Sequence, residues 1–118
     1  MELIEQIANA ALARDNLRLR GLVQDLLGDA TPLDKLPRPS SRDPRMLSVA
    51  AAIVELLAVR QGQKPPAWTQ EIGSLDIPFF MIESAARMKR LRELCETQSP
   101  EPMRKRRLYA PPNFLQFA

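Results

Sequence analysis

The sequence predicts an all-α protein: a small bundle of four to five helices with Pro-rich connectors and an extended C-terminal tail. Three observations point there. Eleven prolines fall at positions 32–44, 65–78 and 100–112, which leaves three Pro-free windows long enough for helices; proline inside a helix removes a hydrogen bond and clashes with the preceding turn. Within those windows apolar residues recur at spacings of three and four, the period of one helical face. No stretch reads as a reliable strand.

At 118 residues the chain fits one domain, and 45% hydrophobic with 26% charged residues is ordinary for a folded protein. We divide it into a helical domain, 1–98, and a basic, apolar C-terminal arm, 99–118, packed on that domain or on a partner. A single cysteine, Cys95, allows no intramolecular disulfide and no cysteine-based zinc site, and histidine is absent. That removes the commonest general base, the commonest metal ligand and every Ser-His or Cys-His nucleophile pair. Met1 is followed by Glu2 and Glu5, not by a basic region and an apolar run, so no signal peptide is expected. No segment approaches the roughly 18–20 apolar residues of a membrane span. The expected compartment is the cytoplasm, with no membrane contact.

Leu3, Ile4, Ile7, Ala8 and Ala11 form one stripe over residues 2–13. A break or kink is expected at Arg14-Asp15-Asn16, where Asp15 or Asn16 can cap a new helix. Leu19, Leu22, Val23, Leu26 and Leu27 form the second stripe, stopped by Gly28, with Arg14, Arg18 and Arg20 off it. Residues 29–43 are too rich in Pro, Ser and Asp for a regular element, and Leu33 and Leu36 are expected to pin that loop to the core.

Asp43-Pro44 is a strong helix start, because Asp accepts orphan N–H groups and Pro at the first position loses a bond that would be unmade anyway. The helix to about Arg60 carries Leu47, Ala50, Ala51, Val54, Leu57 and Ala58, widened by Met46, Ile53 and Leu56. It is expected to be the most buried helix, ended by Gly62. Trp68, after Pro65-Pro66, is expected to plug the core. Residues 77–82, IPFFMI, could be a short strand or a helical turn, and Pro78 favours the turn. Ser84 is expected to cap a helix from Ala85 to about Thr97, with Met88, Leu91, Leu94 and Cys95 as its apolar stripe. Ser99-Pro100 is expected to start a short helix carrying Met103 and Arg104 to Arg107. Beyond Leu108, two prolines leave an extended tail.

The carboxylate pairs Glu2 with Glu5, Asp25 with Asp29 and Glu93 with Glu96 have the spacing of a solvated helix face, and no glycine-rich phosphate loop exists. We therefore expect no enzyme, no catalytic residue, no metal site and no cofactor. Charge distribution says more. Residues 1–86 carry nine Lys/Arg against eleven Asp/Glu, whereas residues 87–118 carry eight against three; such asymmetry suggests an acidic partner or nucleic acid for the C-terminal third.

Two sets of candidate residues follow. A protein partner would meet Arg104, Lys105, Arg106, Arg107, Tyr109, Phe114, Leu115 and Phe117, since aromatic anchors beside arginines are the composition of interface hot spots. Nucleic acid would instead meet Arg87, Lys89, Arg90, Arg92, Arg104, Lys105, Arg106 and Arg107, each phosphate contact adding salt-sensitive affinity. A third alternative is a homo-oligomer, a self-associating module in which the tail packs on a second copy. The plain alternative pairs these cations with Glu93, Glu96 and Glu101 on a solvated face.

Four stretches carry a resemblance: ALARDNLRLRGLVQDLL (11–27), DPRMLSVAAAIVELLAVRQGQKPPAWT (43–69), IPFFMIESAARMKRLRELCETQSPEP (77–102) and RKRRLYAPPNFLQFA (104–118). Together they resemble a family of small bacterial helical proteins encoded beside minimal nucleotidyltransferase-like genes, an arrangement reminiscent of toxin–antitoxin pairs. The Pro-Pro-Ala-Trp and Arg-Leu-Tyr-Ala-Pro-Pro runs are its most specific parts. The resemblance implies an antitoxin-like interaction protein whose protein partner is nucleotidyltransferase-like, and it supplies no catalytic residue.

Overall fold

The computed structural model describes residues 3–28 and 32–116. Helix α1, Leu3–Leu12, buries Ile4, Ile7, Ala8, Ala10 and Ala11. It stops where Arg14 takes a left-handed φ of 57°. The Asp15 carboxylate then accepts the Arg18 N–H at 3.2 Å, capping α2, Asn16–Gly28, which buries Leu19, Val23 and Leu26. The expected break is therefore a tight reversal with a side-chain cap. Leu33 is buried at the start of a single 3-10 turn, Leu33–Lys35, and Leu36 packs on the core beside it. Both leucines pin the loop as expected.

Helix α3, Pro44–Arg60, is the spine. The Asp43 carboxylate accepts the Arg45 N–H and Pro44 opens the first turn. At the other end Gly62 has a φ of +68°, and the Gln63 and Gly62 N–H groups bond back to Ala58 and Val59 at 2.8 and 3.1 Å. Those two bonds satisfy carbonyls the helix end would otherwise orphan. Every residue from Leu47 to Ala58 is buried, including Glu55. Trp68 is half-buried at the edge of this core, and its indole N–H donates to the Leu36 carbonyl at 2.8 Å. It ties two loops together as well as packing.

The sequence expectation fails at four places. Residues Phe79–Phe80 form a strand, β1, not a helical turn, and pair in parallel with β2, Leu108–Tyr109. The Phe79 and Met81 N–H groups donate to the Arg107 and Tyr109 carbonyls at 3.0 and 2.8 Å. Pro78 is compatible with this because the position just before a strand needs no ladder donor. The fold is thus mostly helical with one short parallel pair, rather than purely α.

Ser84 does not cap a long helix. Residues Glu83–Ala86 make a 3-10 turn, and the Ser84 carbonyl, not its hydroxyl, accepts from Arg87 and Met88 at 3.1 and 3.0 Å. Helix α4 begins only at Lys89 and runs to Gln98, with Cys95 as its buried residue. Met88 and Leu94, expected in the apolar stripe, are 56% and 40% exposed.

Ser99 does not start the next helix either. Helix α5, Glu101–Arg104, has no side-chain cap. The buried Ser99 hydroxyl instead accepts the Ala110 N–H and reaches the Ala110 carbonyl, both at 2.9 Å, and also the Cys95 carbonyl. After β2 the chain is not extended throughout: it turns at 112–115, where Leu115 has a φ of 64°. Met103, Leu108, Ala110, Phe114 and Leu115 all belong to the core cluster built on α1, α2 and α3.

Candidate functional site

The basic run 104–107 is divided by the backbone. Helix α5 tightens into a turn at 105–107, and Arg107 adopts a φ of 62° to lead into β2. Arg106 is thereby turned inward and is 1% exposed, the largest fully buried side chain of the described residues. Its guanidinium donates to Glu55 Oε1 at 3.0 Å, and to the Thr69, Pro102 and Ile72 carbonyls at 2.6, 2.8 and 3.2 Å.

Lys105 Nζ reaches the other oxygen, Glu55 Oε2, at 2.8 Å, and Gln70 donates to Oε1 at 3.0 Å. Burial alone would raise the Glu55 carboxyl, but the hydrogen bonds and charges of Lys105 and Arg106 outweigh it and hold its pKa below 4.5. Arg106 is therefore a structural latch and not a surface cation, which corrects its place in both candidate sets. A buried guanidinium must be paired and hydrogen-bonded, and each of the three nitrogens of this one has a partner.

The tail anchors are corrected too. Phe114 and Leu115 are 9% and 8% exposed and face the core of their own chain, because burying them against α3 removes apolar area from water. Arg60 fixes the turn by donating to the Phe114 and Pro112 carbonyls, and burial lowers its pKa. A cleft of about 520 Å³ opens beside it. Phe117 lies outside the described residues.

What remains outward is a basic and aromatic surface. Arg104 and Arg107 are exposed, each bonded to a carbonyl, of Thr97 and Asp76 respectively. Arg87, Lys89 and Arg90 are exposed at the start of α4. Arg92 bonds Glu96 at 3.0 Å while lying 5.5 Å from the Phe80 ring centroid. Phe80 in turn meets Tyr109 at 5.4 Å with a tilted geometry. These two half-buried rings, with Pro78, Arg92 and Glu96, line a shallow cavity of about 260 Å³.

On the other side of β1, Phe79 lies under two guanidiniums. Arg14 is 4.7 Å and Arg45 5.2 Å from its centroid. Arg14 also donates to the Phe80 carbonyl at 3.0 and 3.2 Å. The sequence reading missed Glu55, Arg45 and Phe79. Only Glu55 left a signal, as the single charge between Met46 and Val59.

Among the described residues, no group of three or more His, Cys, Asp or Glu could hold a metal ion, and no helix is long and apolar enough to cross a membrane. The class that the architecture defines is a small, mostly helical protein with one parallel strand pair. Comparison with known proteins finds no matching family model, no similar curated protein and no matching solved structure.

Proposed function

We propose that this chain is a non-enzymatic protein-interaction module, antitoxin-like in kind, whose C-terminal third presents a basic surface to a protein partner. One observation carries the reading. The apolar tail and Arg106 are spent inward, so Arg87, Lys89, Arg90, Arg92, Arg104 and Arg107 stand outward beside half-buried Phe80 and Tyr109 and exposed Met88. Arginine, aromatic residues and methionine are enriched at protein interfaces. The tail's part is then to build the surface rather than to dock, and the family resemblance suggests a nucleotidyltransferase-like partner.

The test is co-purification from the native host of the full chain and of a variant with Arg87, Lys89 and Arg90 changed to Glu. A partner held by the first and lost by the second is the expected result; no partner, or equal retrieval, defeats the reading. Removing the chain after Glu101 is unsuitable, since it strips Glu55 of both cations. Nucleic-acid binding by the same exposed cations would show as a mobility shift that fades steeply with salt, and self-association as a doubled mass in solution.

A further inference from the structure

We propose that the Arg14–Phe79–Arg45 stack is a docking site for a carboxylate side chain of an acidic, apolar-flanked segment of the protein partner. The proposal rests on the interaction-module reading and names where, and by what chemistry, the partner is held. It depends on residues from three separate parts of the chain: the reversal after α1, the first turn of α3, and β1.

Among the described residues there are two guanidinium–aromatic stacks, one on each side of β1. In the first, Arg92 over Phe80 carries a carboxylate, Glu96, at 3.0 Å. In the second, Arg14 and Arg45 share the Phe79 ring, and neither has a carboxylate within ion-pair distance among the described residues. Of the acids close by, Asp15 accepts the Arg18 N–H at 3.2 Å and Asp43 the Arg45 N–H at 3.0 Å. Asp43 and Asp76 line a shallow cavity with Arg45 without coming within ion-pair distance of either guanidinium. An incoming carboxylate can accept charge-assisted hydrogen bonds from an exposed guanidinium held there.

Both arginines are exposed, so the site is open. Ile77, 73% exposed, lines the shallow cavity with Arg45 and offers apolar contact to residues flanking that carboxylate. Nucleic acid fits less well. Stacking of a base needs a free aromatic face, whereas Phe79 lies under two guanidiniums and Phe80 is covered by Arg92 and Tyr109.

The experiment measures fluorescence anisotropy of a labelled ten-residue peptide of Glu with two Phe at low salt, with a single-stranded oligonucleotide of matched charge as the second probe. Full-length protein is compared with Arg45→Gln, with Arg14→Gln/Arg45→Gln, and with the Arg87/Lys89/Arg90 charge-reversed variant. Arg45→Gln is the informative single change, because no hydrogen bond of that side chain exists among the described residues. The expected result is peptide binding that weakens about tenfold or more in the double variant, the scale of one lost charge-assisted contact, with a smaller loss in Arg45→Gln at unchanged melting temperature.

Peptide binding insensitive to Arg14 and Arg45 but lost in the α4 variant overturns this inference and leaves the interaction-module reading standing. No peptide binding, or tighter binding of the oligonucleotide, also overturns it; an empty co-purification in addition removes the wider reading.

Discussion

Glu55 Oε1 and Arg106 Nη2 sit 3.0 Å apart and both side chains are buried, although fifty-one positions separate them along the chain. The pair fastens the basic C-terminal run to the central helix. It also decides which of the four basic residues 104–107 faces inward, and so shapes what the surface can offer.

Breaking that pair from one side leaves a buried charge without its counter-charge. Glu55→Ala is expected to destabilise the fold by about 3–5 kcal/mol, read from urea denaturation midpoints. Glu55→Leu with Arg106→Met should recover only part of the loss. Replacing both charges removes the unpaired ion, but the Thr69, Pro102 and Ile72 carbonyls still lose the guanidinium bonds.

Acid sensitivity follows from the same carboxylate. Its folded-state pKa lies below the ordinary 4.5, so the unfolded chain holds the proton more tightly. The stabilisation is present above the unfolded value and is lost as pH falls through the folded one. Urea midpoints measured from pH 7 down to pH 3 should drop for the native sequence, with a shallower slope in Glu55→Gln. Parallel slopes would refute the assignment.

Ser99 offers a local test of the arm. Its hydroxyl serves both the N–H and the carbonyl of Ala110, and Ser99→Ala leaves those buried groups without a partner at a cost of about 1–3 kcal/mol. Hydrogen exchange at the Ala110 amide should accelerate beyond what the change in global stability explains.

Cys95 is fully buried, and burial, with the nearby Glu96 charge, raises its thiol pKa. Both effects suppress the thiolate. A thiol reagent at pH 8 is expected to leave the native protein unmodified over the time in which denatured protein reacts completely. Rapid native labelling would show that α4 opens independently of the core.

The elements that were legible beforehand are those fixed by neighbours in sequence. Asp43-Pro44 opens α3, Gly62 closes it and Asp15 caps α2, because capping joins groups only a few residues apart. The misread elements are settled from a distance. Pro78 suits a helical turn or a residue leading into a strand equally, and only the arrival of Leu108–Tyr109 decides. Ser99 resembles a helix start until Ala110 claims its hydroxyl.

Arg106 looks like its three neighbours in the sequence. What separates them is the left-handed turn at Arg107 and an acid half a chain away. The Arg14–Phe79–Arg45 stack joins three segments that share no motif, so no local pattern could announce it.

The order of synthesis gives the Glu55 clasp a further meaning. The acid leaves the ribosome long before Lys105 and Arg106 exist, so a nascent chain cannot bury α3 at low cost until the segment carrying those two cations has emerged. A product terminated before Lys105 leaves an uncompensated negative charge on the central helix and is expected to be more open to proteolysis than the full chain.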